Sequence, residues 1–236
     1  MREAGKVNGE ILRKLSEIIK PGISTLDIDK YVEKIVGERG MIASEKGYFG
    51  YPASVCVSVN EEVVHGIPSS KRILKDGDIV SVDLVVEYKG YMADAARTYP
   101  VGNVSSVAKL LIETAEKAFF DGIAFAKEGY RLQDISHAIQ ETVEGQGFGV
   151  IRDFVGHGIG REMHEEPQIP NLGKAGKGPR LLKGMTLAIE PMITEGSYEV
   201  RVLPDNWTAV TVDKGLAAHY ENTVVITDGE PELLTL

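Results

Sequence analysis

The 236 residues are enough for one large domain or two small ones with a sizeable core. Hydrophobic residues make up 43% and charged residues 26%, and no run of about 18 apolar residues could span a bilayer, so disordered and membrane classes are excluded. Thirty-five acidic against 26 basic side chains give a net charge of −9, which argues against a duplex-DNA binder built on phosphate neutralisation.

In chain order, Ile11, Leu12, Leu15, Ile18 and Ile19 recur at helical spacing, and Lys20-Pro21-Gly22 turns the chain before a second helix opening at Thr25-Leu26-Asp27-Ile28. Strands are predicted over 54–59, 78–87 and 91–99, the last two joined at Lys89-Gly90 as an antiparallel hairpin. A second helical pair follows in 104–147, with Leu110, Leu111, Ala115, Ala118 and Phe119 on one face and Lys127-Glu128-Gly129 before Leu132-Gln133-Asp134-Ile135. Further strands are predicted over 186–192, 200–212 and 221–227, with a turn at Asp213-Lys214-Gly215. Residues 1–40 superpose on 104–147 at a shift of 107, and the same shift maps Val36 onto Val143, Leu74 onto Leu181, Gly77 onto Gly184 and Asp83 onto Glu190. One offset held over about 60 positions indicates an internal duplication. Strands grouped after helices, with hairpins in place of crossovers, predict an α+β fold. The expectation is one domain over 1–236, with pseudo-symmetric halves of about 1–103 and 104–236 and a ligand site between them. The single cysteine, Cys56, has no internal disulfide partner, and the chain opens on the polar Met1-Arg2-Glu3, which points to a reducing, cytoplasmic compartment.

Asp83 sits inside the apolar run Ile79-Val80-Ser81-Val82-Asp83-Leu84-Val85-Val86, where an unpaired carboxylate costs several kcal/mol. With Lys89-Gly90 as the turn, Asp83 faces Ala96 and Val85 faces Asp94, so the two acids share a face as diagonal neighbours, roughly 7–8 Å apart at Cα. Such a pair repels unless a cation lies between its members. Glu190 repeats the Asp83 situation after Thr186-Leu187-Ala188-Ile189, and Glu221 opens the apolar strand Thr223-Val224-Val225-Ile226. His157 lies in Val155-Gly156-His157-Gly158-Ile159-Gly160, where flanking glycines remove bulk around the imidazole. Taken singly, each has an ordinary reading as a cap, a solvated acid or a structural histidine. Together, four carboxylates and one imidazole suit two adjacent divalent ions of the Mn, Fe, Co or Zn type. Such ions activate water and polarise a carbonyl, so the chemistry is hydrolysis. His65 and His164, beside turns, are available for substrate hydrogen bonds or proton transfer. His219 borders Glu221 as an outer partner, and His137 sits unremarkably at helical spacing.

The ordered series Asp83, Asp94, His157, Glu190, Glu221, with Gly156-His157-Gly158-Ile159-Gly160, His164-Glu165-Glu166-Pro167 and Ile189-Glu190-Pro191-Met192, closely resembles the type I methionine aminopeptidases. The similarity covers essentially the whole chain. It implies the pita-bread fold, a curved antiparallel sheet covered by helices on one side, and removal of the initiator methionine from nascent polypeptides with a small second residue preferred. By the same resemblance Asp83 chelates one metal, His157 and Glu190 hold the other, and Asp94 and Glu221 bridge them. Glu190 also handles the proton of the bridging water, a metal-bound hydroxide being the nucleophile. His65 and His164 contact the substrate amide and the developing oxyanion. Tyr48, Tyr51, Cys56, His65, Met163, His164 and Trp207 form the substrate site. Met163 stands where many relatives carry phenylalanine, and Phe49 where histidine is common.

Two other readings compete. A proline-directed aminopeptidase or dipeptidase of the same fold would use the same five ligands, and a metal-free binding protein of this fold would lack some of them. All five are intact here. The expected partners are nascent N-termini for a monomeric enzyme with no DNA and no membrane. The basic stretch Lys174, Lys177, Arg180 and Lys183 is a candidate ribosomal RNA contact, weighed against an ordinary solvated loop.

Overall fold

Helix starts are written into short capping sequences. In the computed structural model, which describes residues 1–236, Ser24 caps the second helix: its Oγ accepts the Asp27 amide at 3.2 Å, while Asp27 Oδ2 takes the Ser24 amide at 2.8 Å. At the equivalent place in the second half, Asp134 Oδ2 takes the Arg131 amide at 2.8 Å. The helices are α1 (Arg2–Ile18), α2 (Thr25–Glu38), α3 (Ser106–Ile123) and α4 (Leu132–Gly145). The second and fourth match at the shift read from the sequence, and no helix is long and apolar enough to cross a membrane.

The strands of the first half are β1 (Ile42–Ala43), β2 (Cys56–Val59), β3 (Glu62–Val64), β4 (Ile79–Tyr88) and β5 (Tyr91–Pro100). Those of the second are β6 (Gly149–Val150), β7 (Gly156–Gly158), β8 (Glu165–Ile169), β9 (Thr186–Ile189), β10 (Met192–Thr194), β11 (Val200–Val202), β12 (Ala209–Thr211), β13 (Ala217–His219), β14 (Asn222–Val225) and β15 (Glu232–Leu233). They form four antiparallel groups: β1-β4-β2 with β5 on β4, β13-β10-β6, β11-β12-β3, and β15-β14-β9-β7-β8. One apolar core draws only on residues between Ala4 and Val101, packing α1 on β4 and β5 and α2 on β1 and β2. The other takes Ile79 and residues from Ala108 to Ile226.

Two expected strands are corrected. The run 186–192 is not continuous: β9 and β10 lie in different sheets, and the chain crosses between them at Glu190-Pro191. Proline has no N–H to donate to a ladder, so pairing stops there. The run 200–212 is a hairpin, β11 against β12. Its turn is fixed by Asp205 Oδ1, which accepts the amides of Trp207 and Thr208 at 2.9 Å, with Asn206 in the left-handed region at φ 65°.

The halves meet along a seam between β5 and residues 219–223. Thr98 Oγ1 accepts the His219 amide and donates to the His219 carbonyl, both at 2.9 Å. Thr223 Oγ1 accepts the Asp94 amide at 2.8 Å and donates to the Asp94 carbonyl at 2.9 Å. Between these clamps the Glu221 amide donates to the Ala96 carbonyl at 3.0 Å. Arg97 reaches over the seam to the Glu221 carbonyl and, at 2.7 Å, to Asn222 Oδ1.

Thr223→Val keeps the shape of a fully buried side chain and strands the Asp94 amide and carbonyl. Denaturant unfolding should show a loss of about 1–3 kcal/mol, whereas an unchanged midpoint would mean the clamp contributes nothing.

Candidate metal centre

The β4–β5 register is the one the hairpin turn implies, with Asp83 opposite Ala96 and Val85 opposite Asp94, so both carboxylates project from one face. Glu221 enters from the seam, Glu190 from the end of β9, and His157 from the middle of β7, paired with Ala188 of β9. His157 Nε2 lies 3.7 Å from Asp94 Oδ2 and 3.6 Å from Glu190 Oε1. His219 Nε2 lies 3.7 Å from Glu190 Oε2 and 3.5 Å from Glu221 Oε2. Ligand atoms of Asp94, His157 and Glu221 come within 4.8 Å of one another, and so do those of Asp83, His219 and Glu221. The five residues expected as ligands therefore converge, and His219 joins them with its ring nitrogen turned inward. Its neighbour Glu221 was the only signal in the sequence.

The glycines around His157 have a different purpose from the one read in the sequence. A Cβ at position 156 would stand 2.4 Å from the Ala188 carbonyl, and one at 158 would stand 2.3 Å from the Glu166 carbonyl. The bare backbone lets β8 and β9 close on β7; room for the imidazole is secondary.

Burial dominates the electrostatics. It raises Asp83 to about 6 and lifts Asp94, Glu190 and Glu221 well above the carboxylate range, with the neighbouring acids pushing the last three further. Burial also lowers His157 to about 4 and His219 to about 3. No lysine or arginine pairs with any of these acids: Arg97 spends its hydrogen bonds on the Glu221 carbonyl, the Ala96 carbonyl and Asn222. Asp83 Oδ1, Asp94 Oδ1, Glu221 Oε1 and His219 Nε2 have no hydrogen-bond partner. Hard oxygen donors and neutral imidazoles left unsatisfied around one point form a donor set that fits divalent ions.

A cavity of about 190 Å³ opens onto this cluster. Tyr48, Tyr51, Cys56, His65, Met163, His164 and Trp207 all line it together with Asp83, Asp94, His157, Glu190 and Glu221. Tyr48 Oη and His164 Nδ1 are hydrogen-bonded at 2.7 Å, and the His164 ring lies 4.3 Å from that of His157. His65 is held in the left-handed region at φ 59°, its ring edge-on to Phe154 and Trp207. Burial pushes the Cys56 thiol well up, so it is not a thiolate at neutral pH. Phe49, at φ 44°, points away and is 84% exposed. Six cavity residues were not read as site residues from the sequence: Glu45, Val64, Val85, Phe154, Val155 and Met192.

The model of metallopeptidase family M24 matches residues 1–228. The chain belongs to that family, among its methionine aminopeptidases. It is 54% identical over 236 residues to the methionine aminopeptidase of Clostridium acetobutylicum, covering all of this chain and 94% of that protein. It is 52% identical over 235 residues to methionine aminopeptidase 1 of Bacillus subtilis, with the same coverage. The crystal structure of the Thermotoga maritima methionine aminopeptidase superposes with a TM-score of 0.98 at 50% identity, over 100% of this chain and 94% of that one. A prolidase from Pyrococcus furiosus shares the fold alone, with a TM-score of 0.79 at 22% identity over 62% of its length. The α+β architecture is accordingly the pita-bread fold, and membership in M24 carries the use of divalent metal.

The two sets of shifts act oppositely on stability. Raised carboxylates favour the folded state at low pH and lose that advantage as pH rises through their folded pKa values. Lowered histidines gain stability as pH rises from about 4 to their unfolded value of 6.5. Above 6.5 the histidines are neutral in both states, so the raised carboxylates carry the pH dependence that remains. Chelator-stripped protein should therefore lose melting temperature as pH rises above 6.5, and Mn²⁺ should offset that loss by replacing the protons. A flat stripped profile, or no response to Mn²⁺, would contradict the donor set.

Proposed function

We propose that the chain, acting as one catalytic domain over 1–236, removes the N-terminal methionine from polypeptides by hydrolysis. The observation that carries this reading is the convergence of Asp83, Asp94, His157, Glu190 and Glu221 at the floor of a cavity walled by Tyr48, Tyr51, Cys56 and Trp207. Two divalent ions are proposed, held on one side by Asp83 and on the other by His157 and Glu190, with Asp94 and Glu221 between them. Mn, Fe, Co and Zn all suit such a set. When bound, divalent ions there supply Lewis-acid polarisation of the scissile carbonyl and activation of water.

The chain's own groups do the rest. The apolar wall takes the methionine side chain, and Met163 completes it with a flexible thioether surface. Glu190, whose carboxyl is pushed up by burial first and by Asp83 and Asp94 next, is suited to take a proton from the attacking water and return it to the leaving amine. His164 has Nδ1 committed to Tyr48, which fixes the ring and leaves Nε2 to bond the reacting amide. His65, lowered to about 4 by burial and then by His164, stays neutral at physiological pH. It is assigned to the substrate beside the residue that follows methionine, where a small side chain fits best. The substrates are nascent N-termini in the cytoplasm, met by a monomer.

The decisive comparison is hydrolysis of Met-Ala-Ser against Ala-Pro-Ser alongside metal content. Cleavage of the first alone is expected; preference for the proline peptide would move the chain to the prolidase-like branch. Variants then separate binding from chemistry. Asp94→Asn should lose metal and activity together, whereas His164→Ala should keep its metal and lose roughly 10²-fold in kcat. Loss of metal in His164→Ala would make that histidine a ligand and overturn the assigned shell.

A further inference from the structure

Gly5 and Gly9 stand one turn apart inside α1, although glycine is the poorest helix former after proline. The close approach of residues 234–236 accounts for both. A Cβ at Gly9 would stand 2.6 Å from the Thr235 carbonyl, and one at Gly5 would stand closer still to the Leu234 carbonyl. α1 is itself tied to the sheet by Asn8, whose Nδ2 donates to the carbonyls of Leu84 and Ala93, the neighbours of Asp83 and Asp94. Residues 234–236 are thus held between a fixed helix and the seam. From that seat the fully buried Thr235 faces the seam. Its Oγ1 accepts the Thr223 amide at 3.1 Å and donates to Asn222 Oδ1 at 2.9 Å, and the Leu234 amide donates to the Thr223 carbonyl at 2.9 Å. The roles are fixed by chemistry: the Thr223 amide and the Arg97 guanidinium only donate, so Oγ1 spends its proton on Asn222, whose Oδ1 also accepts Arg97. Thr223 in turn holds the backbone of Asp94, and Arg97 holds the carbonyl of Glu221. One hydroxyl therefore connects to Asp94 through Thr223 and to Glu221 through Asn222 and Arg97.

We propose that Thr235 is a positioning residue for the metal centre, its hydroxyl setting the spacing between Asp94 and Glu221, the pair assigned to lie between the two ions. This rests on the metal-centre reading above. Hydrogen-bonded partners behind a ligand orient it and tune metal affinity by 10-fold or more, so the effect of Thr235 is to be read in metal binding and not only in stability.

The test is calorimetric titration of Mn²⁺ into chelator-stripped parent, Thr235→Val, Thr235→Ser and Gly9→Ala, at a temperature where each is folded, with the melting temperature of each stripped protein alongside. Thr235→Val keeps the shape and loses the hydroxyl, and its Kd for Mn²⁺ should rise roughly tenfold. Thr235→Ser restores the hydroxyl and should bind Mn²⁺ as the parent does. Gly9→Ala keeps the hydroxyl but drives a methyl group into the Thr235 carbonyl, and should weaken Mn²⁺ binding in the same direction. A merely structural Thr235 would lower the melting temperature of stripped Thr235→Val and leave its Kd unchanged, which overturns the proposal. Equal weakening in Thr235→Ser and Thr235→Val also overturns it, because the hydroxyl would then not be the group that matters. If Thr235→Val does not fold, Gly9→Ala decides, and an unchanged Kd there overturns the proposal by itself. A parent that binds no Mn²⁺ overturns the metal-centre reading and this inference together, whereas binding indifferent to positions 9 and 235 removes this inference alone.

Discussion

The seam between β5 and residues 219–223 is the constraint on which the rest depends, because it forces like charges into one dry place. Thr98 and Thr223 each bind both the amide and the carbonyl of a residue across the seam, which fixes Asp94 and Glu221 against each other whatever their side chains prefer. Two carboxylates at such separation, out of water, repel by several kcal/mol, and Asp83 and Glu190 add to the same field. Backbone bonding and two apolar cores hold the acids in place, so the cluster is a site of stored electrostatic cost. Divalent cations relieve it directly.

Duplication explains how the acids arrive. At the same offset, one half delivers Asp83 from inside a long regular strand and the other delivers Glu190 where a strand ends. The halves then diverge: Asp83 is locked in a two-sided ladder between β2 and β5, while Glu190 precedes Pro191 and sits at a crossing between sheets. The freer carboxylate is the one assigned to move a proton, and the ladder-bound one is assigned to hold a metal.

What was legible in the sequence was what short-range rules determine. The Lys89-Gly90 turn set the register that brings Asp83 and Asp94 to one face, and the helix pairs with their capping acids revealed the repeat. The breaks at Glu190-Pro191 and at 203–208 carried visible signals, Pro191 and Pro204-Asp205-Asn206, which the strand-like residues on either side overrode in the reading. Glu45 was hidden for another reason, and His219 was legible only as an outer partner of Glu221. A glutamate in a loop looks solvated until a contact forty residues away, to Val85, buries it, and His219 is held at the site by Thr98, far away in sequence. The glycines beside His157 were visible, but their physical reason lay in neighbouring carbonyls.

The central claim is that these repelling acids are a metal centre with room for two ions. Anomalous diffraction from crystals grown with Mn²⁺ tests it most directly. The account predicts two peaks, one beside Asp83 and one beside His157 and Glu190, with Asp94 and Glu221 touching both. Peaks only at surface acids, or none in a cavity whose carboxylates keep their protons at pH 7.5, would contradict it.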